Sequence, residues 1–107
     1  MRRLLGGLSV TLAFAAFAPA SAQATPSKAE RLERLGRKAY AKKDWSEAVV
    51  AFEAAYAAHA LPKYLYNAAR SYDRKGDLRK AIDLLKRYVA VEKDPGERAG
   101  AEDRVTI

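Results

Sequence analysis

The chain has 107 residues and a formal net charge of +7, from 20 Lys and Arg against 13 Asp and Glu, with one His and no Cys. That length holds one small domain. The missing cysteine excludes disulfides, thiol chemistry, thiolate metal sites and lipidated cysteines, and a single His gives no foundation for a zinc centre or a His-based catalytic dyad.

In chain order, Arg2 and Arg3 precede an apolar run from Leu4 to Ala18, followed by Pro19 and Ala20-Ser21-Ala22-Gln23-Ala24. A charged end, an apolar middle and a small-x-small site form a secretory signal. The run is 15 residues long and contains Gly6, Gly7, Ser9 and Thr11. A spanning helix needs about 20 apolar residues. The expectation is a leader over residues 1–24, cleaved after Ala24 in preference to Ala22, with no stable membrane span afterwards. A periplasmic or secreted protein follows. Without Arg2 and Arg3 the remaining bases still outnumber the acids, but they are dispersed among them, as in Lys42, Lys43 and Asp44 or Arg79, Lys80 and Asp83. That dispersion predicts a solvated helical face, and with export no nucleic-acid partner is expected.

From Ser27 the sequence predicts helix after helix. Ser27-Lys28-Ala29-Glu30 has the spacing of a capping box, and Asp44-Trp45-Ser46-Glu47 repeats it with Asp as the cap. Pro62 suits a first helical turn, Gly76-Asp77 supplies a left-handed stop and then a new N-cap, and Asp94-Pro95-Gly96-Glu97 opens a fifth helix. Between these signals apolar residues recur every three or four positions. The predicted core stripes are Leu32, Leu35 and Ala39 with Tyr40; Trp45, Ala48, Val49, Phe52, Ala55 and Tyr56; Leu65, Ala68, Ala69 and Tyr72; and Leu78, Ala81, Ile82, Leu85, Tyr88 and Val89.

Asp44 through Ala48, followed by Phe52, is echoed by Asp77 through Ala81, followed by Leu85, at an offset of 33 residues. A period of that size marks stacked helix hairpins. Leu35-Gly36, Asp44, Ala48, Phe52 and Ala55 in the first unit, and Ala69, Tyr72, Gly76-Asp77, Ala81 and Leu85 in the second, resemble the tetratricopeptide (TPR) repeat, with Pro62 and Pro95 closing each unit. The resemblance, to an exported bacterial TPR-domain protein, implies an all-α fold. It would be a right-handed α-solenoid of two hairpins, about 29–61 and 62–94, with a capping helix over 95–107. A plain antiparallel four-helix bundle is the alternative.

The family geometry also implies an inner surface lined by the first helix of each pair: Glu33, Arg34, Arg37 and Tyr40, then Lys63, Tyr66, Asn67, Arg70 and Arg74. Such a surface offers guanidinium, amide and phenol groups to a protein or peptide. The Lys and Asn clamp that some family members use for a terminal carboxylate is not expected, because Asn67 alone stands in place. His59 is read as a helix-end residue, Trp45 as inter-helix packing, and Tyr72 as core. No phosphate loop, G-x-S-x-G element or H-E-x-x-H string is present. A non-catalytic scaffold without cofactor or metal is therefore expected. The alternative is a structural module, or a truncated part of a larger envelope assembly, that associates with a partner or a second copy through Val105 and Ile107.

Overall fold

The computed structural model describes residues 25–106, and over them the chain forms five α-helices and no strand. These are α1 (Lys28–Ala41), α2 (Trp45–Ala58), α3 (Pro62–Lys75), α4 (Leu78–Val91) and α5 (Pro95–Thr106). The expected leader and Ile107 lie outside the described residues. Connections of two or three residues turn each helix back along its predecessor, and each packs against the next.

Local chemistry sets the helix starts. Ser27 Oγ accepts the Glu30 N–H at 3.1 Å while Glu30 accepts the Ser27 N–H at 2.8 Å, a closed capping box. The backbone hydrogen bond from Ser27, then the one from its hydroxyl, holds the Glu30 carboxyl below its usual range. Asp44 and Asp77 each accept the amide three residues on, both at 3.3 Å. Asp94 takes the amides of Gly96 and Glu97 at 2.8 and 3.2 Å. Pro62 opens α3 with no side-chain cap, since proline leaves one fewer amide to satisfy.

The two intra-hairpin turns share a conformation but not a residue. Gly76 has φ +95° in the left-handed region, and Lys43, 33 positions earlier, has φ +64°. The first turn therefore makes its reversal with a side chain that this region disfavours.

Packing follows from where small and large residues meet. Helix α2 lies between α1 and α3 and buries Ala48, Val49, Ala51, Phe52 and Ala55. The main core joins Ala39, Phe52, Leu65, Ala69, Tyr72, Leu84, Leu85, Tyr88 and Ala101 across all five helices. A second cluster of Ala29, Ala55 and Tyr64 closes the other end of the first hairpin, with Leu32 and Leu61 against it. At the tightest point a Cβ added to Gly36 would stand 2.7 Å from Phe52 Cε1, so the missing side chain is what lets α2 approach α1. Ala69 and Leu85, the residues 33 positions on, are buried together in the main core.

Two leucines of the expected core stripes are solvent-facing: Leu35 is 57% exposed and Leu78 55%. Helix α1 buries Ala29, Glu33, Gly36 and Ala39. Turning Gly36 onto Phe52 rotates Leu35, its neighbour, off that line by about 100°. Leu78 borders an open recess shared with Asp73, Ile82 and Arg104, whereas its counterpart Trp45, 33 positions earlier, meets Tyr40 and Arg74.

Candidate functional site

Glu33, on α1, points inward and is buried, with its side chain 9% exposed. Its neighbours supply the charge that makes this tolerable. Arg37 Nη2 donates to Oε2 at 3.0 Å, one helical turn along α1, and Lys63 Nζ donates to Oε1 at 3.3 Å from α3. A buried carboxylate needs such partners. The bracket ties the first helices of the two hairpins together across a sequence separation of 30.

A second link forms further along the same pair of helices. Arg70 Nη2 donates to Tyr40 Oη at 3.3 Å, and its guanidinium carbon stands 5.0 Å from the Tyr40 ring centre. Tyr40 meets Trp45 edge to face, with ring centres 4.9 Å apart. The Arg74 guanidinium lies over Trp45 at 5.1 Å. Arg70 and Arg74 thus rest on two touching aromatic rings. A corresponding link joins the next pair, where Arg104 Nη2 on α5 donates to Asp73 Oδ2 on α3 at 2.6 Å. Asp73 lies 33 positions after Tyr40.

Between α1 and α3 an open cleft of about 390 Å³ is lined by Arg37, Tyr40, Ala41, Asn67 and Arg70, with Phe52 at its floor. Of the side chains expected on the inner face, four line this cleft and Arg74 adjoins it through Trp45. Lys63 is held by Glu33 instead. Tyr66 packs on Tyr88 with ring centres 5.2 Å apart and opens onto a neighbouring recess shared with Arg70, Asp73 and Arg104. Arg34 is exposed and lines neither hollow; it lies near Glu30, whose carboxyl it helps to lower. Tyr64 and Tyr72 are core residues, 1% and 6% exposed, which leaves Tyr66 as the exposed tyrosine of α3. His59 ends α2 as its C-cap and is exposed.

Two buried hydrogen bonds have no counterpart in the expectations. Tyr72 Oη donates to Glu53 at 3.0 Å, and its phenol is pushed up to about 12, first by burial and then by that carboxylate. Ser71 is fully buried and donates to the Asn67 carbonyl at 2.8 Å. For Glu33 the available signal was its spacing from Ala29, Gly36 and Ala39, which places it on the small-residue stripe of α1. Among the described residues no group of three His, Asp or Glu side chains is arranged to hold a metal ion, and no helix is long and apolar enough to cross a membrane. Compared with protein-family models, with curated proteins and with solved structures, the chain matches none.

Proposed function

We propose that the protein is an exported, non-catalytic scaffold of the tetratricopeptide type, a right-handed α-solenoid whose concave side is the α1–α3 face. There it binds a protein or peptide in the periplasm or outside the cell. The observation that carries the reading is the open cleft between α1 and α3, where guanidinium, phenol and amide groups converge over an apolar floor. That mixture suits a polypeptide, which offers backbone carbonyls, side-chain acids and apolar groups together. Support for a repeated architecture comes from the paired links Tyr40–Arg70 and Asp73–Arg104, which tie successive first helices at sequence separations of 30 and 31 residues. Two such links are what a stack with α1, α3 and α5 along one side would show.

A second reading, association through the C-terminal end, is favoured by a shallow hollow of about 250 Å³ between Lys86, Val89, Glu102 and Val105. Site-directed photocrosslinking separates the two. A photoreactive phenylalanine analogue replaces Asn67 in one variant, Val105 in a second and the exposed Val50 in a third, each expressed in the source cell and irradiated. The scaffold reading expects a discrete crosslinked partner from position 67 alone. Crosslinks from position 105 alone would transfer the function to the other end. Mass spectrometry of the same purified protein is expected to find Thr25 as its first residue.

A further inference from the structure

We propose that Arg70 and Arg74 form a prearranged anion-binding pair that selects an acidic peptide segment, one carrying two carboxylates spaced to meet two guanidiniums a helical turn apart. The proposal rests on the peptide-binding reading above and names the chemistry of the partner.

Charge is the first argument. In the second unit the residue 33 positions after Tyr40 is Asp73, and it neutralises Arg104 at 2.6 Å. In the first unit the same position is Tyr40, a neutral phenol, so Arg70 keeps its positive charge. The other acid of this face, Glu33, is occupied by Arg37 and Lys63. Among the described residues no carboxylate lies within salt-bridge distance of Arg70 or Arg74. The repeat thus contains its own control: one site is closed by an internal acid and the other is left open.

Geometry is the second. A guanidinium carries five N–H groups in one plane; Arg70 spends one of them on Tyr40 Oη, and the rest of its edge is left for a ligand. Tyr40 and Trp45 are in contact with each other, so the two cations stand on a joined floor. Part of the ordering that binding normally demands is already in place. The edges are suited to bidentate carboxylate recognition.

Spacing and surroundings favour a polypeptide over an isolated phosphate. Residues four apart on a helix present side chains about 5–6 Å apart, and alternate side chains of an extended chain lie about 6.5–7 Å apart on one face. The cleft continues from Arg70 past Asn67 to Arg37, which gives the ligand backbone an amide partner.

Trp45 is the chain's one tryptophan and lies under Arg74, so its fluorescence reads the site directly. The protein, purified as the cell processes it, is titrated with hexaglutamate and with hexaglutamine. The expected result is a saturable change in Trp45 emission with hexaglutamate, weakened by salt, and none with hexaglutamine. Arg70→Gln/Arg74→Gln is expected to weaken that binding about tenfold or more. Tyr40→Asp is expected to do the same while leaving both arginines in place, by closing the site as Asp73 closes its own. Both arginines are exposed, so circular dichroism should report an unchanged fold. Equal responses to the two peptides, or undiminished binding in both variants, overturn the proposal. So does tighter binding of inorganic phosphate, of phosphatidylglycerol vesicles or of an oligonucleotide. A partner crosslinked at position 67 with equal yield in wild type and Arg70→Gln/Arg74→Gln sinks the acidic-segment assignment and leaves the scaffold reading standing. Hexaglutamate binding without any crosslink at 67 supports the anion pair and removes the scaffold reading.

Discussion

Gly36 and Phe52 fit together as notch and knob: the Phe52 ring occupies the space where a Gly36 Cβ would stand, at 2.7 to 2.8 Å from three ring carbons. One hairpin later the equivalent pair is Ala69 with Leu85, a shallower notch with a smaller knob. The two pairs meet one packing requirement with different volumes, which makes the first interface sensitive to a single added carbon.

Gly36→Ala is accordingly expected to destabilise the fold. Overpacking costs about 1–3 kcal/mol, of which about 1 kcal/mol is returned by better helix propensity. Adding Phe52→Leu converts the first interface to the chemistry of the second, so the double variant should be more stable than the sum of its single changes. Urea unfolding of all four proteins checks this, and strict additivity would contradict the notch-and-knob account.

Lys43 holds φ +64° where its counterpart is Gly76 at φ +95°. Lys43→Gly should therefore raise stability by about 0.5–1 kcal/mol, the relief of a left-handed side-chain conformation less the larger chain entropy of glycine. Gly76→Ala should lower it by a similar amount. The measurement is the shift in denaturation midpoint, and a destabilised Lys43→Gly would refute the parallel between the turns.

The bracket around Glu33 makes its own prediction. Its two cations are more than half exposed, so they stay hydrated when the acid is removed. Glu33→Gln should cost only about 1–2 kcal/mol, below the range for breaking a fully buried pair. Added salt should narrow the gap between variant and wild type, since it screens the partly exposed pairs. A gap unchanged by salt would mean that hydrogen-bond pairing, and not screened charge, sets the cost.

Alkaline stability follows from two phenols. Burial pushes Tyr72 up to about 12, with the Glu53 hydrogen bond adding to it, and burial likewise pushes Tyr88 up to about 12, with Glu92 and Glu97 adding to it. An unfolded tyrosine loses its proton near 10. Below that pH both states hold the proton and stability is unaffected. Between about 10 and 12 the unfolded chain loses protons first, so stability falls as pH rises, by at most about 1.4 kcal/mol per pH unit for each phenol. Denaturation midpoints across that window, compared with Tyr88→Phe, should show a shallower decline in the variant.

Features that depend on neighbours a few positions away were legible in the order of the residues alone. Ser27, Asp44, Asp77 and Asp94 cap helices because an oxygen three residues before a free amide reaches it in any fold, and Pro62 and Gly76 act through their own backbone restrictions or freedom. The 33-residue echo matched Phe52 with Leu85, and the family resemblance set Gly36 and Ala69 at equivalent places in the two units. Features that depend on how each helix is rotated about its axis, and on which distant residues that rotation brings together, emerge only when the helices pack. Gly36 turning onto Phe52 put Leu35 into solvent and Glu33 inside. Stacking α3 beside α1 then assigned Lys63 to Glu33 and Arg70 to Tyr40, across 30 residues of chain. Helical periodicity places a side chain on a face, but it is indifferent to which cation on that face meets an acid and which is left with its charge.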